Sequence, residues 1–192
     1  IYAFDPDGKP LRRMGGPSMA FFHPRGLALS PLGTLLVVDT GGSRVVELDV
    51  QGALVRQYGQ RGPGPAQLDQ PTEALVDGSG YLYVVDTGNH RVQVLDPAGG
   101  YAGEWSIPGS NTVDHSSLAW GPKGEIYLTE PEPASVAVVD RQGKVLGRWG
   151  VRGKGAGEFE KPLGVAVDGQ GRVYVADTYN HRIQRFIVQG QE

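Results

Sequence analysis

The stretch Pro162–Ile183, PLGVAVDGQGRVYVADTYNHRI, carries most of what decides the fold. An apolar run follows the proline, a glycine-containing turn follows the run, and a second apolar run ends at Asp177-Thr178. A polar loop then leads to Arg182. Short β-branched and aromatic runs joined by glycine turns are typical of antiparallel strands, so the stretch predicts paired strands.

The pattern recurs along the whole chain of 192 residues. An acidic residue ends the second apolar run of each unit, at spacings of 47, 44 and 47 residues. A proline column and an arginine column keep the same spacings, with one departure each. The three columns are Asp39, Asp86, Glu130 and Asp177; Pro24, Pro71, His115 and Pro162; and Arg44, Arg91, Ser135 and Arg182. Short strands in units of about 40–50 residues predict the blades of a β-propeller.

Each unit contains four short strands. The proline starts an inner strand, and the acidic residue ends the second strand. The arginine starts a third strand such as Ile183–Phe186, and a more polar fourth strand ends in an aromatic residue and glycine, as in Trp149-Gly150. No helical periodicity is sustained along the chain, which argues against a helical solenoid.

The pattern Pro-x-Gly, apolar run, Asp-x-x-Gly, apolar run, Asp-Thr-x-Asn-His-Arg resembles the NHL repeat. It is clearest at Pro162–Ile183 and Pro71–Val92. The resemblance implies an all-β fold, a propeller of four-stranded blades. It does not specify a function, because propellers of this family serve as enzymes, receptor domains and RNA-binding platforms.

Residues 1–15 align with the third and fourth strands of a preceding blade. Residues 16–59, 60–106 and 107–150 are predicted full blades, and residues 151–192 a blade without its last strand. NHL propellers usually have six blades, so we expect this chain of about four blades to form part of a larger, six-bladed ring. An open arc could also pair with another chain.

The composition of the chain argues against several classes of function. The net charge of −3 gives no general attraction for a nucleic-acid backbone, so we expect no nucleic-acid partner. The chain has no cysteine, which excludes disulfides and thiolate chemistry. No apolar stretch is long enough for a membrane span. We expect an extracytoplasmic location, periplasmic or secreted, in a bacterium.

The Asp-Thr-x-Asn-His-Arg loop is predicted to be framework, because it recurs from blade to blade. Its acidic residue and arginine should form an ion pair, with threonine and asparagine bonding to the turn backbone. His90 and His181 lie inside this motif and share that interpretation. The expected pairs are Asp39 with Arg44, Asp86 with Arg91, and Asp177 with Arg182.

The departures from the repeat are the better functional candidates. In a propeller, the loops that precede the inner strands and the loops between the second and third strands lie on one side, which we call the upper face. Its residues vary from blade to blade, as a ligand-binding surface would. The candidate ligand-binding residues are His23, Arg25, Gln70, Glu73, Asp114, His115, Glu130, Glu132, Lys161 and Tyr179.

Catalytic and metal signatures are weaker. The NHL family includes a peptidylglycine amidating lyase whose zinc is held by histidines at the starts of inner strands. Only His23 and His115 match such positions, and a zinc site needs three protein ligands, so we expect neither a metal nor another cofactor. Calcium could be held only by Asp114, Glu130 or Glu132. We identify no catalytic residue.

The sequence therefore favours a non-catalytic binding or scaffold propeller that recognises a protein, peptide or glycan, with a protein or peptide as the first expectation. A metal-dependent lyase or hydrolase resembling the amidating lyase is the alternative. A sensor domain of a receptor is the second alternative.

Overall fold

The computed structural model describes residues 1–15, 19–107 and 115–187, and its strands form a succession of small antiparallel sheets. A hairpin of β1 (Tyr2–Phe4) and β2 (Pro10–Arg13) comes first. Blade one is β3 (Pro24–Leu29), β4 (Leu35–Asp39), β5 (Arg44–Leu48) and β6 (Leu54–Tyr58). Blade two is β7 (Pro71–Val76), β8 (Leu82–Asp86), β9 (Arg91–Leu95) and β10 (Tyr101–Ser106). Blade three is β11 (Leu118–Trp120), β12 (Ile126–Glu130), β13 (Ser135–Val139) and β14 (Val145–Trp149).

A linker with the short parallel pair β15 (Val151–Arg152) and β16 (Glu158–Phe159) leads to blade four. Blade four has three strands, β17 (Pro162–Val167), β18 (Arg172–Asp177) and β19 (Arg182–Ile187). The described helical structure is two single 3₁₀ turns, Thr87–Asn89 and Thr178–Asn180. Neither turn has the length or apolar character of a membrane-crossing helix. The predicted all-β propeller of four antiparallel blades is confirmed.

The blades hold together through apolar cores that lie between them. Tyr83 and Val92 of blade two pack against Leu118 and Ile126 of blade three. Similar clusters join blade one to blade two and blade three to blade four. All five residues of β8 are buried, because both faces of the blade are covered. The second strands of blades one and three are buried almost as completely, which accounts for their apolar runs, whereas β18 of blade four alternates between buried and half-buried residues.

Blade three departs from the others in its inner strand. β11 has three residues, whereas the inner strands of the other blades have six. Thr129 explains the shortening, since its hydroxyl accepts a hydrogen bond from the Ser117 N–H at 2.8 Å. The Thr129 N–H in turn donates to the Ser117 carbonyl at 3.0 Å. The Thr129 side chain thus replaces part of the backbone hydrogen-bond ladder between β11 and β12 at the upper face.

The glycine-rich runs Gly59–Gly64 and Gly150–Gly157 link successive blades. Each linker ends near a fully buried apolar anchor, Leu68 in the first and Phe159 in the second. Gly150 has a φ of +94°, and a Cβ there would lie 2.5 Å from the Phe159 ring. This position requires glycine both for its left-handed backbone and for the close approach of the anchor.

Candidate functional site at the upper face

The repeated motif forms a buried ion pair that joins the loops of the upper face. In blade two, the Asp86 carboxylate accepts from Arg91 Nε at 2.8 Å and from the Asp69 N–H at 2.6 Å. Asn89 donates both to Asp86, at 2.7 Å, and to the linker carbonyl of Gly62, at 3.0 Å. One carboxylate therefore ties together the loop before the inner strand, the second strand and the linker.

The same geometry recurs in blades one and four. The Asp39–Arg44 and Asp177–Arg182 distances are both 2.7 Å, and each aspartate is fully buried. The predicted Asp–Arg framework pairs are thus present in all three blades that carry the motif. His90 and His181 precede the arginines with φ values of +55° and +53°, so they serve as left-handed turn residues.

The environments of the repeated carboxylates are not identical. Burial raises the pKa of Asp86, and hydrogen bonds from Asn89, Asp69 and Arg91 oppose that rise. In blade four, burial also acts upward on Asp177, but the hydrogen bonds that begin with the Glu160 N–H outweigh it and lower the pKa. The ion pair is the same in both blades. The pKa values of Asp86 and Asp177 shift in opposite directions because Asp86 is the more deeply buried of the two.

Glu130 belongs to the framework and not to the exposed ligand-binding surface we predicted. Its side chain is fully buried, and it accepts two hydrogen bonds from Arg148, at 2.7 and 2.9 Å. Ser135, which stands at the usual position of the arginine, donates to the same carboxylate at 2.5 Å. Arg148 reaches Glu130 from β14, so blade three keeps the ion pair with an arginine from a different strand. Its carboxylate is therefore not available to a calcium ion or a ligand.

Two groups of predicted residues do come together on the upper face. The Arg25 guanidinium of blade one contacts the His115 ring of blade three, with Nη1 3.2 Å from Nδ1. Lys161 lies 3.5 Å from Glu132 and 5.6 Å from the centre of the Tyr179 ring. The Arg25–His115 contact joins blades one and three, and the Lys161–Glu132 contact joins blades four and three, whereas Lys161 and Tyr179 belong to the same blade.

The second group includes two residues that the sequence analysis missed. Arg152 bonds to Glu160 at 3.0 Å and to the Glu132 carbonyl at 3.1 Å, which extends the Lys161–Glu132 contact into a network. Both residues lie in or beside the linker pair of β15 and β16. The charged residues that flank the glycines of this linker, Arg152 and Glu160, were the available signal in the sequence.

Glu73 lies deeper, among the inner strands. The four inner strands line a central cavity of about 370 Å³ that includes Glu73 and Ser117. Glu73 accepts from the Ser117 hydroxyl at 3.4 Å, and burial raises the pKa of its carboxyl against that hydrogen bond. The equivalent residues in blades one and four are Gly26 and Gly164. Glu73 is thus the one long side chain in its column, and its carboxyl faces the centre of the ring.

The remaining candidates are less connected. His23 and Gln70 are exposed, with φ values of +54° and +46°, and His23 stacks on Phe22 at 4.5 Å. Asp114 lies outside the described residues. Among the described residues, no group of three or more His, Cys, Asp or Glu side chains is placed to hold a metal ion. His23 and His115 therefore lack, within the described ranges, a third ligand of that kind.

Blades of four antiparallel strands around a central cavity define the chain as a β-propeller. Residues 159–186 match the family model of the NHL repeat, which confirms the resemblance seen in the sequence and identifies blade four as an NHL repeat.

Several known proteins are similar to this chain in sequence or in fold. The B-box type zinc finger protein ncl-1 of Caenorhabditis elegans is 45% identical over 60 residues, which cover 31% of this chain and 7% of that protein. The virginiamycin B lyase of Staphylococcus aureus superposes with a TM-score of 0.66 at 14% identity, over 98% of this chain and 63% of the lyase. An auxiliary nutrient binding protein of Bacteroides thetaiotaomicron superposes with a TM-score of 0.58 at 15% identity, over 83% of this chain and 46% of that protein. The chain spans less than two thirds of each, and the structural likenesses establish the propeller fold alone.

Proposed function

We propose that this propeller is a binding module whose upper face recognises a peptide or protein segment. The observation that carries the proposal is that variable residues from separate blades converge on this face above a recurring framework of buried ion pairs. Arg25 meets His115, and Lys161 meets Glu132 and Tyr179. Loops held by a rigid scaffold are where binding residues concentrate.

The chemistry of the face favours a peptide. Cationic, anionic and aromatic side chains stand within one surface, which suits a segment with mixed charges and offers Tyr179 for stacking. RNA would need a mainly basic face, and here the cations Lys161 and Arg152 are paired with Glu132 and Glu160. A glycan partner is left as an outcome of the test below.

The test uses an immobilised library of random peptides, with cell-wall glycan fragments as a second probe set. We expect selective peptide binding that the double variant Arg25→Ala/Lys161→Ala weakens by at least about tenfold. Arg185→Ala is the matched control, because Arg185 is an exposed arginine on β19, away from this face. Glycan binding alone, no binding above background, or binding that the double variant leaves unchanged would each contradict the proposal.

The alternative function is that of a metal-dependent lyase or hydrolase. The similarity in fold to the virginiamycin B lyase is the observation that supports it. A metal analysis of the purified protein discriminates between the two functions. Stoichiometric zinc that is lost in His115→Ala would favour the enzyme.

We also propose an extracytoplasmic location, for which the nutrient binding protein of similar fold is the support. Fractionation of the source cells, with detection of the protein by antibody, would test it. Recovery in the cytoplasmic fraction would contradict it.

A further inference from the structure

A second cavity, of about 380 Å³, opens between blades one and two on the side opposite the upper face. The β3–β4 turn, the β7–β8 turn and Pro97 form its rim. Its walls are largely apolar and include Leu32, Leu36, Val55, Val76 and Leu82. A volume of this size lies within the range of small-molecule sites in proteins, about 300–1,000 Å³.

The cavity contains one carboxylate, that of Glu47. The residue is buried, and its two oxygens accept from the Thr34 hydroxyl at 2.5 Å and the Tyr58 hydroxyl at 2.8 Å. Blades two and three have valine at the equivalent positions, Val94 and Val138. A buried carboxylate is costly where an apolar residue would serve the packing, unless a cation compensates it.

Among the described residues, no Lys, Arg or His forms an ion pair with Glu47, and the nearest candidate, Arg56, also lines the cavity. Arg56 is its cross-strand neighbour in the β5–β6 register. The Arg56 guanidinium instead donates to the Pro97 carbonyl and lies 5.8 Å from the centre of the Tyr58 ring. Two hydroxyls orient the carboxylate, but its charge is unpaired within the described part of the chain.

The equivalent depression between blades two and three shows what differs. Trp120 and Arg141 stand there at the positions of Val76 and Pro97. Trp120 packs edge-on against Tyr83 at 5.3 Å, and Arg141 lies 5.4 Å over Trp120. Arg141 also pairs with Asp77 at 3.3 Å. The interface between blades two and three is thus filled by Trp120 and Arg141, and its carboxylate, Asp77, is paired. The interface between blades one and two has smaller side chains at these positions, and its carboxylate, Glu47, has no ion pair among the described residues.

We propose that the cavity between blades one and two binds a cationic amine on an apolar stem, with the ammonium group paired to Glu47. The apolar walls accept the stem, and the carboxylate, held by Thr34 and Tyr58, supplies the charge-assisted hydrogen bond. The amine can be a free small molecule or the side chain of a lysine in a peptide. The site lies on the opposite side from the upper face and does not depend on the peptide-binding function proposed there.

Calorimetric titration of the purified protein tests the proposal with defined probes. We expect 2-phenylethylamine, a short apolar peptide with one internal lysine, or both to bind with one-to-one stoichiometry, and the probe that binds identifies the source. The neutral 2-phenylethanol and the anionic phenylacetate should bind at least about tenfold more weakly. Failure of both amines to bind at millimolar concentration, or equal binding of the alcohol, would overturn the proposal.

Variants of Glu47 and Val76 test separately whether amine binding depends on the charge of the cavity or on its shape. Glu47→Gln keeps the size of the side chain and should weaken amine binding at least about tenfold. Glu47→Val introduces the residue that blades two and three have at this position and should abolish amine binding while circular dichroism and thermal unfolding show an intact fold. Val76→Trp should block the cavity without changing its charge. Glu104→Gln, in the equivalent depression, is the control that keeps binding; because it also removes the contact of Glu104 with Arg91, its fold is checked in the same way. Unchanged affinity in Glu47→Gln refutes the assignment.

Discussion

At the scale of single residues, the Tyr58–Glu47 contact is the most informative departure from the repeat. Burial, followed by the hydrogen bond to Glu47, raises the pKa of Tyr58 to about 12 from its ordinary value of 10.0. Blades two and three have Trp105 and Trp149 in this column, and the indole N–H groups of both are buried without a partner in the described structure. The tyrosine–glutamate pair thus satisfies a polar group that the tryptophan–valine pairs leave unsatisfied.

This pair predicts an alkaline loss of stability. The folded state holds the Tyr58 proton more tightly than the unfolded state, so its contribution is complete below pH 10 and is lost as the pH rises towards 12. We expect the free energy of unfolding to fall over this window, and to fall less steeply in Tyr58→Phe. Urea unfolding at a series of pH values measures the difference.

The control for this experiment is Tyr2→Phe, which removes an exposed hydroxyl. Burial also raises the pKa of Tyr83 and Tyr127, so some alkaline loss should remain in Tyr58→Phe. An identical slope in the wild type and Tyr58→Phe would show that burial and the hydrogen bond to Glu47 do not raise the pKa of Tyr58 in the folded protein.

At the scale of elements, blade three shows that an ion pair can persist when its sequence motif is lost. Arg148 of β14 substitutes for the missing motif arginine and bonds Glu130 through two nitrogens. Arg148→Ala should therefore destabilise the protein by about 1–3 kcal/mol, because it leaves the fully buried Glu130 carboxylate without its cation while Arg148 itself is 44% exposed. Thermal or urea unfolding measures this loss.

Two companion variants test the reason for it. Arg152→Ala breaks contacts that are largely exposed and should cost less than about 1 kcal/mol. Adding Glu130→Gln to Arg148→Ala removes the uncompensated charge and should recover part of the lost stability. If the double variant is less stable than Arg148→Ala alone, the Glu130 charge is not what Arg148 compensates.

The same blade shows where prediction from sequence works and where it stops. The strands and the Asp–Arg pairs were predictable because they recur at fixed spacing, and recurrence reveals common packing. Glu130 was misassigned because its partner, Arg148, lies in another strand and outside the motif. The Arg152–Glu160 contacts and the Glu47 cavity were not predictable, since they depend on side chains that meet only when blades pack together.

At the scale of the whole molecule, stability should be shared between neighbouring blades. Three of the four core clusters contain residues of two adjacent blades, and the fourth packs blade one against Ile1 and Met14 of the N-terminal hairpin. No described cluster joins blade one to blade three or blade four. Repeat proteins of this kind behave as chains of units coupled to their nearest neighbours. A defect at one interface should weaken the two blades that share it more than a distant blade.

Leu128→Ala provides this defect. Leu128 is fully buried in the cluster between blades two and three, and its truncation should cost about 2–5 kcal/mol. Native-state hydrogen exchange should show faster exchange in β8, β9, β12 and β13, with less change in β4 and β5 of blade one. The control is Ile183→Ala on β19, because Ile183 is 71% exposed whereas the equivalent Val45, Val92 and Val136 are fully buried. Equal acceleration in all blades after Leu128→Ala would mean that the propeller unfolds as one unit and that its stability is not a sum of neighbouring interfaces.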